Sequence, residues 1–399
     1  MTTAVVTYRI DFSSVADTAL KIATRFWFAV TVIGQLLFAF AIGSYYGGAA
    51  VRGDHHAWGK FISHGYVPGD HMGNLAVAIH LSMAIVVMLS GAVQLVPRVR
   101  NRFPVFHRWN GRFYMLASLG VSAAGMYMTW IRSSVGDITQ HIGSTLNAVL
   151  IWYFGAMALR YALARDFPTH RRWAMRFFLV VSASLFIRIM LFLLFVVLNG
   201  TVGFNPAMLS GPLLTIMTFA QYLVPLAILE LYFRAQDRPT VPRKLATAGV
   251  LGVSTLLMIA GLFAASMAIW VPQVKAGFDS RKSIADTMAA TIASNGVDQA
   301  VVEYHQLKST QPTTYKFEED QLNGLGYQLI NSHKYKDAIR VLQLNTEVYP
   351  QSANTWDSLG EAYMNAGDKA QAIMNYQKSL QLNPKNANAV KMLKKLNAL

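Results

Sequence analysis

The sequence predicts an all-α protein in two parts, a seven-helix transmembrane bundle followed by a soluble α-helical repeat solenoid. Three observations carry that expectation. Of 399 residues, 53% are apolar and only 14% charged, and the mean hydropathy is +0.32, too apolar and too charge-poor for an average soluble chain. Seven apolar stretches are each long enough to cross hydrocarbon of roughly 30 Å, which takes about 20 helical residues. After Trp270 the chain turns charged and soluble, and a 34-residue period appears.

The stretches fall at 26–45, 73–96, 111–130, 143–164, 174–198, 211–233 and 246–270. They define a membrane domain over 26–270 with its core at 73–198, preceded by an N-terminal segment, 1–25. Connections after the second, fourth and sixth stretches hold Arg98 to Arg112, Arg160 to Arg176, and Arg234 to Lys244. With Arg9, Lys21 and Arg25, 17 basic residues lie on one side, against Arg52, Lys60 and Arg132 opposite. The positive-inside rule then puts the N-terminus in the cytoplasm of a bacterial inner membrane, and an odd number of spans leaves the C-terminal region periplasmic. No short apolar core with a small-residue cleavage site opens the chain, so no removable signal peptide is expected.

Residues 271–296 read as a linker and first soluble helix, and 297–399 as the repeat region. Leu325-Gly326, Ala338-Ile339 and Pro350 recur as Leu359-Gly360, Ala372-Ile373 and Pro384, with Leu322 answered by Trp356. That period, with Trp356-x-x-Leu359-Gly360-x-x-Tyr363 and Pro384, resembles the tetratricopeptide repeat family. Gln299-Ala300-Val301 within 297–308 marks a degenerate earlier unit, and 386–396 reads as the helix that caps the stack. The small residues Gly326, Ala338, Gly360 and Ala372 let paired helices approach closely. The resemblance implies a protein or peptide partner.

Four histidines organise the membrane core. His80 lies inside the second stretch and His141 opens the fourth, both towards the outer face; His107 and His170 open the third and fifth from the cytoplasmic face. An ionisable residue within hydrocarbon is a functional candidate because it needs a partner. Imidazole is an axial ligand for haem iron, and arginine pairs with carboxylates such as haem propionates. His107-Arg108-Trp109-Asn110-Gly111-Arg112 and His170-Arg171-Arg172-Trp173-Ala174-Met175-Arg176 are similar runs, each behind a proline suited to a first helical turn. They suggest imidazole directed inward and arginine outward. Arg108, Arg112 and Arg171 are candidates for propionates, although topology and anionic lipid also account for arginines there. Arg188, in the outer half of the fifth span, needs a carboxylate, a propionate or backbone carbonyls.

His80-x10-Gly91-x2-Gln94, His107-Arg-Trp-x-Gly-Arg-x-Tyr114 and His170-Arg-Arg-Trp-x-Met-Arg176 together resemble a bacterial membrane family, domain of unknown function 2306, over about 73–189. The alternation of histidines is similar in layout to di-haem transmembrane cytochrome b proteins. That likeness implies His80 with His141 and His107 with His170 as axial pairs, hence one or two haems b and a quinone or small-molecule electron donor. The outer loop 51–72, with His55, His56, His64, His71, Asp54 and Asp70, reads as solvated, with divalent metal binding or docking of an electron donor or acceptor as the alternatives.

The absence of cysteine excludes disulfides, thiolate catalysis, iron–sulfur clusters and covalently attached haem. Of the +15 net charge, most lies in 1–273, with 21 Lys/Arg against 8 Asp/Glu, and topology explains it without nucleic acid. No phosphate loop, nucleophile elbow or His-Glu-x-x-His run appears. The leading expectation is therefore a membrane oxidoreductase or electron carrier. Its alternatives are a non-redox scaffold that displays the repeats for envelope complexes and, third, a transporter or quinone-binding protein with Arg188 and His80 lining its cavity.

Overall fold

The computed structural model describes residues 11–62, 65–67, 69–133, 136–198 and 211–396, and the chain divides into two units, Met1–Phe278 and Asp279–Leu399. In the first, α1 (Phe12–Ile42) runs through a π turn (Gly43–Gly47) into α2 (Gly48–Arg52). A 3-10 turn (His55–Lys60) precedes α3 (His71–Gln94), and the short basic α4 (Pro97–Arg102) precedes α5 (Pro104–Trp130). Then come α6 (Ile138–Leu163), α7 (Phe167–Val181), α8 (Ala183–Val197), α9 (Pro212–Asp237) and α10 (Val241–Ala265). A second π turn (Ser266–Trp270) continues into α11 (Val271–Phe278).

Among the described residues, five helical runs are long and apolar enough to cross a membrane, namely 12–52, α3, α6, α9 and 241–278, and the bent pair α7 and α8 makes a sixth. The remaining expected span, α5, has the length, 27 residues. Gly111, Ser118, Gly120, Ser122, Gly125 and Thr129 keep it less apolar than the others. Some of those small residues face its neighbours: Gly125 lies against His80, Gly111 against Gln94, and the Ser122 hydroxyl accepts the Trp152 indole N–H at 2.7 Å. The 174–198 span, expected as one helix, is two at 52°. At the break stands Ser182, whose hydroxyl donates to the Phe178 carbonyl at 2.7 Å and accepts the Gln35 amide of α1 at 2.8 Å. A serine bonded back to the i−4 carbonyl bends a helix.

Every carboxylate of residues 1–273 has a structural task. Asp11, Asp54, Asp70, Asp137 and Asp166 accept backbone N–H groups at helix starts, where carboxylates satisfy otherwise unpaired donors. Asp17 pairs with Lys244, Glu230 with Arg176 and Asp237 with Arg172. Phe38, Leu185, Ile189 and Leu262 form the main core between α1, α8 and α10. Tyr114, Phe154, Phe177 and Tyr222 form another where α5, α6, α7 and α9 meet. Large apolar side chains also cover the outside, among them Leu116 at 68% and Leu256 at 69% exposure. That surface suits lipid, as a multi-pass membrane protein requires.

The second unit begins later than the sequence suggests, because 271–278 prolongs the last apolar run. It comprises β1 (Lys282–Ser283), α12 (Ile284–Asn295), α13 (Val297–Thr310), β2 (Tyr315–Lys316), α14 (Glu319–Asn331), α15 (Tyr335–Val348), α16 (Ala353–Asn365), α17 (Lys369–Leu382) and α18 (Ala387–Lys395). The two strands pair in parallel, Lys282 with Tyr315. Gly326 touches Leu342 and Gly360 touches Tyr376, the close approaches the repeat pattern calls for. Ala300 and Val301, in the stretch expected to hold a degenerate unit, are buried in α13 beside Ile284 and Met288 of α12. In α18, Asn386 and Asn388 donate to Asp357 of α16 at 3.0 and 2.8 Å, while Ala389 and Leu393 cover Tyr376. Burial pushes the Asp357 carboxyl above the usual range, and the two amides pull it back.

The hydroxyls of Tyr304 and Tyr376 are buried without a partner among the described residues. Removing an unpaired buried polar group leaves packing intact and lifts its desolvation cost. Tyr304→Phe and Tyr376→Phe should therefore leave the repeat unit at least as stable in urea unfolding. A loss above about 1 kcal/mol would mean that each hydroxyl has a partner.

Candidate cofactor site

His80 lies in the N-terminal half of α3, turned towards α5. Its ring contacts Gly125, where a Cβ would come within 3.3 Å of Cε1, and Nδ1 is 3.0 Å from the Val121 carbonyl. A carbonyl oxygen only accepts, so Nδ1 carries a proton, and in the neutral ring Nε2 presents the lone pair. No hydrogen bond engages Nε2 among the described residues. His170, in the first turn of α7, repeats the arrangement with Nδ1 2.8 Å from the Ala158 carbonyl of α6. Backbone carbonyls that fix the tautomer and orientation of an imidazole are the outer support found behind metal-ligating histidines. For these two side chains the residues present fit an axial haem ligand.

His107 opens α5 within a polar cluster that links α5 to the end of α3. Gln94 donates to the His107 carbonyl at 3.1 Å and accepts the Asn110 amide at 2.8 Å, and Asn110 also donates to the Ser90 carbonyl at 3.0 Å. These bonds fix which way the Gln94 amide points, with its nitrogen 3.5 Å from His107 Nε2. His107 Nδ1 is buried and unpartnered. The charge of His170 is felt at His107. The charged neighbour acting on His80 is Arg188 of α8. His141 stands edge-on to Trp130, ring centres 5.2 Å apart, where α5 ends and α6 begins.

The arginines divide by task. Arg172 and Arg176 tie α7 to α9 through Asp237 and Glu230, and Arg176 also lies over Trp173 at 4.9 Å and Phe233 at 5.0 Å. Arg108, Arg112 and Arg171 are exposed and form no ion pair among the described residues, with Arg112 over the Trp109 ring at 4.9 Å. Arg188 has no carboxylate either, and its guanidinium lies 4.4 Å from the centre of the Phe38 ring.

Several contributors are not evident from sequence. Asn110, Ser90 and Tyr46 have ordinary packing roles in a one-dimensional pattern, and only the folded bundle brings them beside histidines or Arg188. In the loop 51–72, Asp70 caps α3 and pairs with Arg132 at 3.2 Å, and Asn74 accepts from Arg132 at 3.0 Å. His64, like Arg9, lies outside the described residues, as do the side chains of His55 and His56. Among the described residues, no three His, Asp or Glu side chains gather around a point where one metal ion could sit.

No curated protein matches the chain. Residues 77–224, which hold His80, His107, His141, His170 and Arg188, match the family described as predicted membrane protein (DUF2306), and residues 353–386 match the tetratricopeptide repeat: this is a multi-pass membrane protein that carries a tetratricopeptide repeat.

Proposed function

We propose that the membrane unit binds one or two haems b and passes electrons across the bacterial inner membrane, with a quinone or small molecule as donor. The observation that carries this reading is the pair of imidazoles, His80 and His170, each held through Nδ1 on a backbone carbonyl, with no hydrogen bond to Nε2 among the described residues. When bound, haem would supply a one-electron couple within hydrocarbon. The chain's part is to hold and insulate it. His107 would face His170 in the inner pair, and His141 would complete the outer pair with His80. Arg108, Arg112 and Arg171 offer guanidinium groups for propionates at the basic face, where each propionate would gain a charge-assisted bond. The packed apolar helices exclude water and keep the local dielectric low.

The N-terminus is cytoplasmic on this reading and the repeat unit extracytoplasmic, where it recruits a protein partner. A reporter fused after Leu399 tests the orientation; cytoplasmic activity would reverse it. The deciding experiment for function is a reduced-minus-oxidised visible spectrum of the purified full chain expressed with haem supply. A sharp b-type band supports the reading. A colourless, well-folded protein would sink it and leave a membrane-anchored scaffold, which needs only the repeat unit and the lipid-covered bundle.

A further inference from the structure

Arg188 presents a charge problem that the chain does not solve by itself. It lies nine positions before the end of α8 at Val197, roughly 13 Å along the helix axis. A long basic side chain near a helix end would normally reach for the headgroups, but this one is folded the other way. Its Nη1 donates to the Ser184 carbonyl at 2.6 Å, one turn back towards the middle of the span, and its guanidinium stacks on Phe38 of α1. One carbonyl and a ring face do not neutralise a cation. All eight carboxylates in residues 1–273 are engaged elsewhere, and Arg188 forms no ion pair among the described residues. What protein does not cover of this side chain would face hydrocarbon, where an uncompensated charge is costly.

Two further polar groups, on other helices, feel the charge of Arg188. Tyr46, in the π turn that interrupts the first apolar run, and His80 of α3 both lie within electrostatic reach of the guanidinium. His80 is nine residues from the start of α3 at His71, a helical distance equal to that of Arg188 from the end of α8, and Tyr46 is six residues from the end of α2 at Arg52. No hydrogen bond engages the Tyr46 hydroxyl or His80 Nε2 among the described residues. A π turn rotates the following side chains out of the regular helical register and often marks a functional position; here it accompanies a tyrosine beside a lone arginine.

We infer that Arg188 and Tyr46, beside His80, form a binding site for the carboxylate of a lipophilic molecule. Arg188 supplies the charge and the forked N–H donors that match a carboxylate, Tyr46 supplies one further O–H donor, and the apolar tail of the ligand lies among lipid-facing side chains. A neutral headgroup would leave the cation uncompensated. Two sources carry this chemistry into a membrane, a haem propionate and a free fatty acid. The site requires only the anion, so it stands whether or not haem is bound.

The test uses the full chain, delipidated in a non-ionic detergent, with thermal unfolding followed by tryptophan fluorescence. Sodium palmitate should raise the midpoint of the wild type by several degrees in a saturable way, since a ligand that binds only the folded state stabilises it. Hexadecanol, with the same tail and no charge, should not. Arg188→Gln should abolish the palmitate shift, and Arg188→Lys should keep part of it. Without ligand, Arg188→Gln should unfold no lower than the wild type, because it removes an uncompensated cation. If Arg188→Gln cannot be recovered, Tyr46→Phe must still weaken the shift, because it removes only the hydroxyl. Acid extraction of the protein as purified distinguishes the sources. Haem that is present in the wild type and depleted in Arg188→Gln, with no palmitate shift in either protein, identifies a propionate. A palmitate shift without any haem leaves the site standing while the haem reading falls. Equal palmitate shifts and equal haem content in wild type and Arg188→Gln would overturn the inference.

Discussion

His80→Ala should remove one component of the reduced-minus-oxidised b-type spectrum, His170→Ala the other, and the double variant should be colourless in a protein that still folds. Each substitution deletes an Nε2 whose orientation the fold has already fixed through Val121 or Ala158. Loss of groups that merely support a metal ligand costs on the order of 10- to 100-fold in affinity, so deletion of the ligand itself should cost at least that. The structural cost is smaller. One hydrogen bond to a carbonyl contributes about 1 kcal/mol, and the space left by His80 opens beside Gly125 without stranding a buried charge. His305→Ala, in the repeat unit, is the control that should leave the spectrum untouched. A wild-type spectrum retained in the double variant, with normal haem content, would remove both histidines from the haem reading.

The long apolar runs were legible because composition alone registers a span of hydrocarbon, and the 34-residue period gave the repeats because each unit buries the same face against its neighbours. The bend at Ser182 was not legible. A serine in an apolar stretch is unremarkable until Gln35 of α1 is seen to engage its hydroxyl. The π turns at 43–47 and 266–270 are likewise silent in sequence, since neither contains a proline or a charge. For the candidate site, His80 and Arg188 could be singled out because an ionisable group in an apolar segment stands out by itself, and His107 and His170 because each leads a similar run behind a proline. Their surroundings could not. The carbonyls of Val121 and Ala158 belong to residues whose side chains carry no signal, and Phe38 lies under Arg188 only because α1 packs against α8. The extension of the membrane unit to Phe278 is not legible either, because Val274 to Phe278, polar in part, continue the helix and bring Gly277 against Ser44.

Two alanine substitutions in α10 should have opposite signs, and the difference tests how the helix that supports the Arg188 segment is held. Alanine is the better helix former by about 1 kcal/mol, so an open glycine in a helix should gain from it. At Gly252 an added Cβ meets nothing within 4 Å, and Gly252→Ala should raise the unfolding midpoint or leave it unchanged. At Gly261 the same Cβ would come 2.4 Å from the Ile189 backbone oxygen and 2.7 Å from its Cγ2. Backbone cannot swing aside as a side-chain tip can, so α8 must move away from α10. Overpacking of this kind costs about 1–3 kcal/mol, and Gly261→Ala should lower the midpoint by several degrees. Ile189 is the next residue after Arg188, so displacement of α8 also shifts the guanidinium from Phe38. Gly261→Ala should therefore weaken the palmitate-induced stabilisation that Gly252→Ala preserves. Equal midpoints for the two variants would mean that α8 and α10 do not meet at Gly261, and the placement of Arg188 beside α1 would fall with that contact.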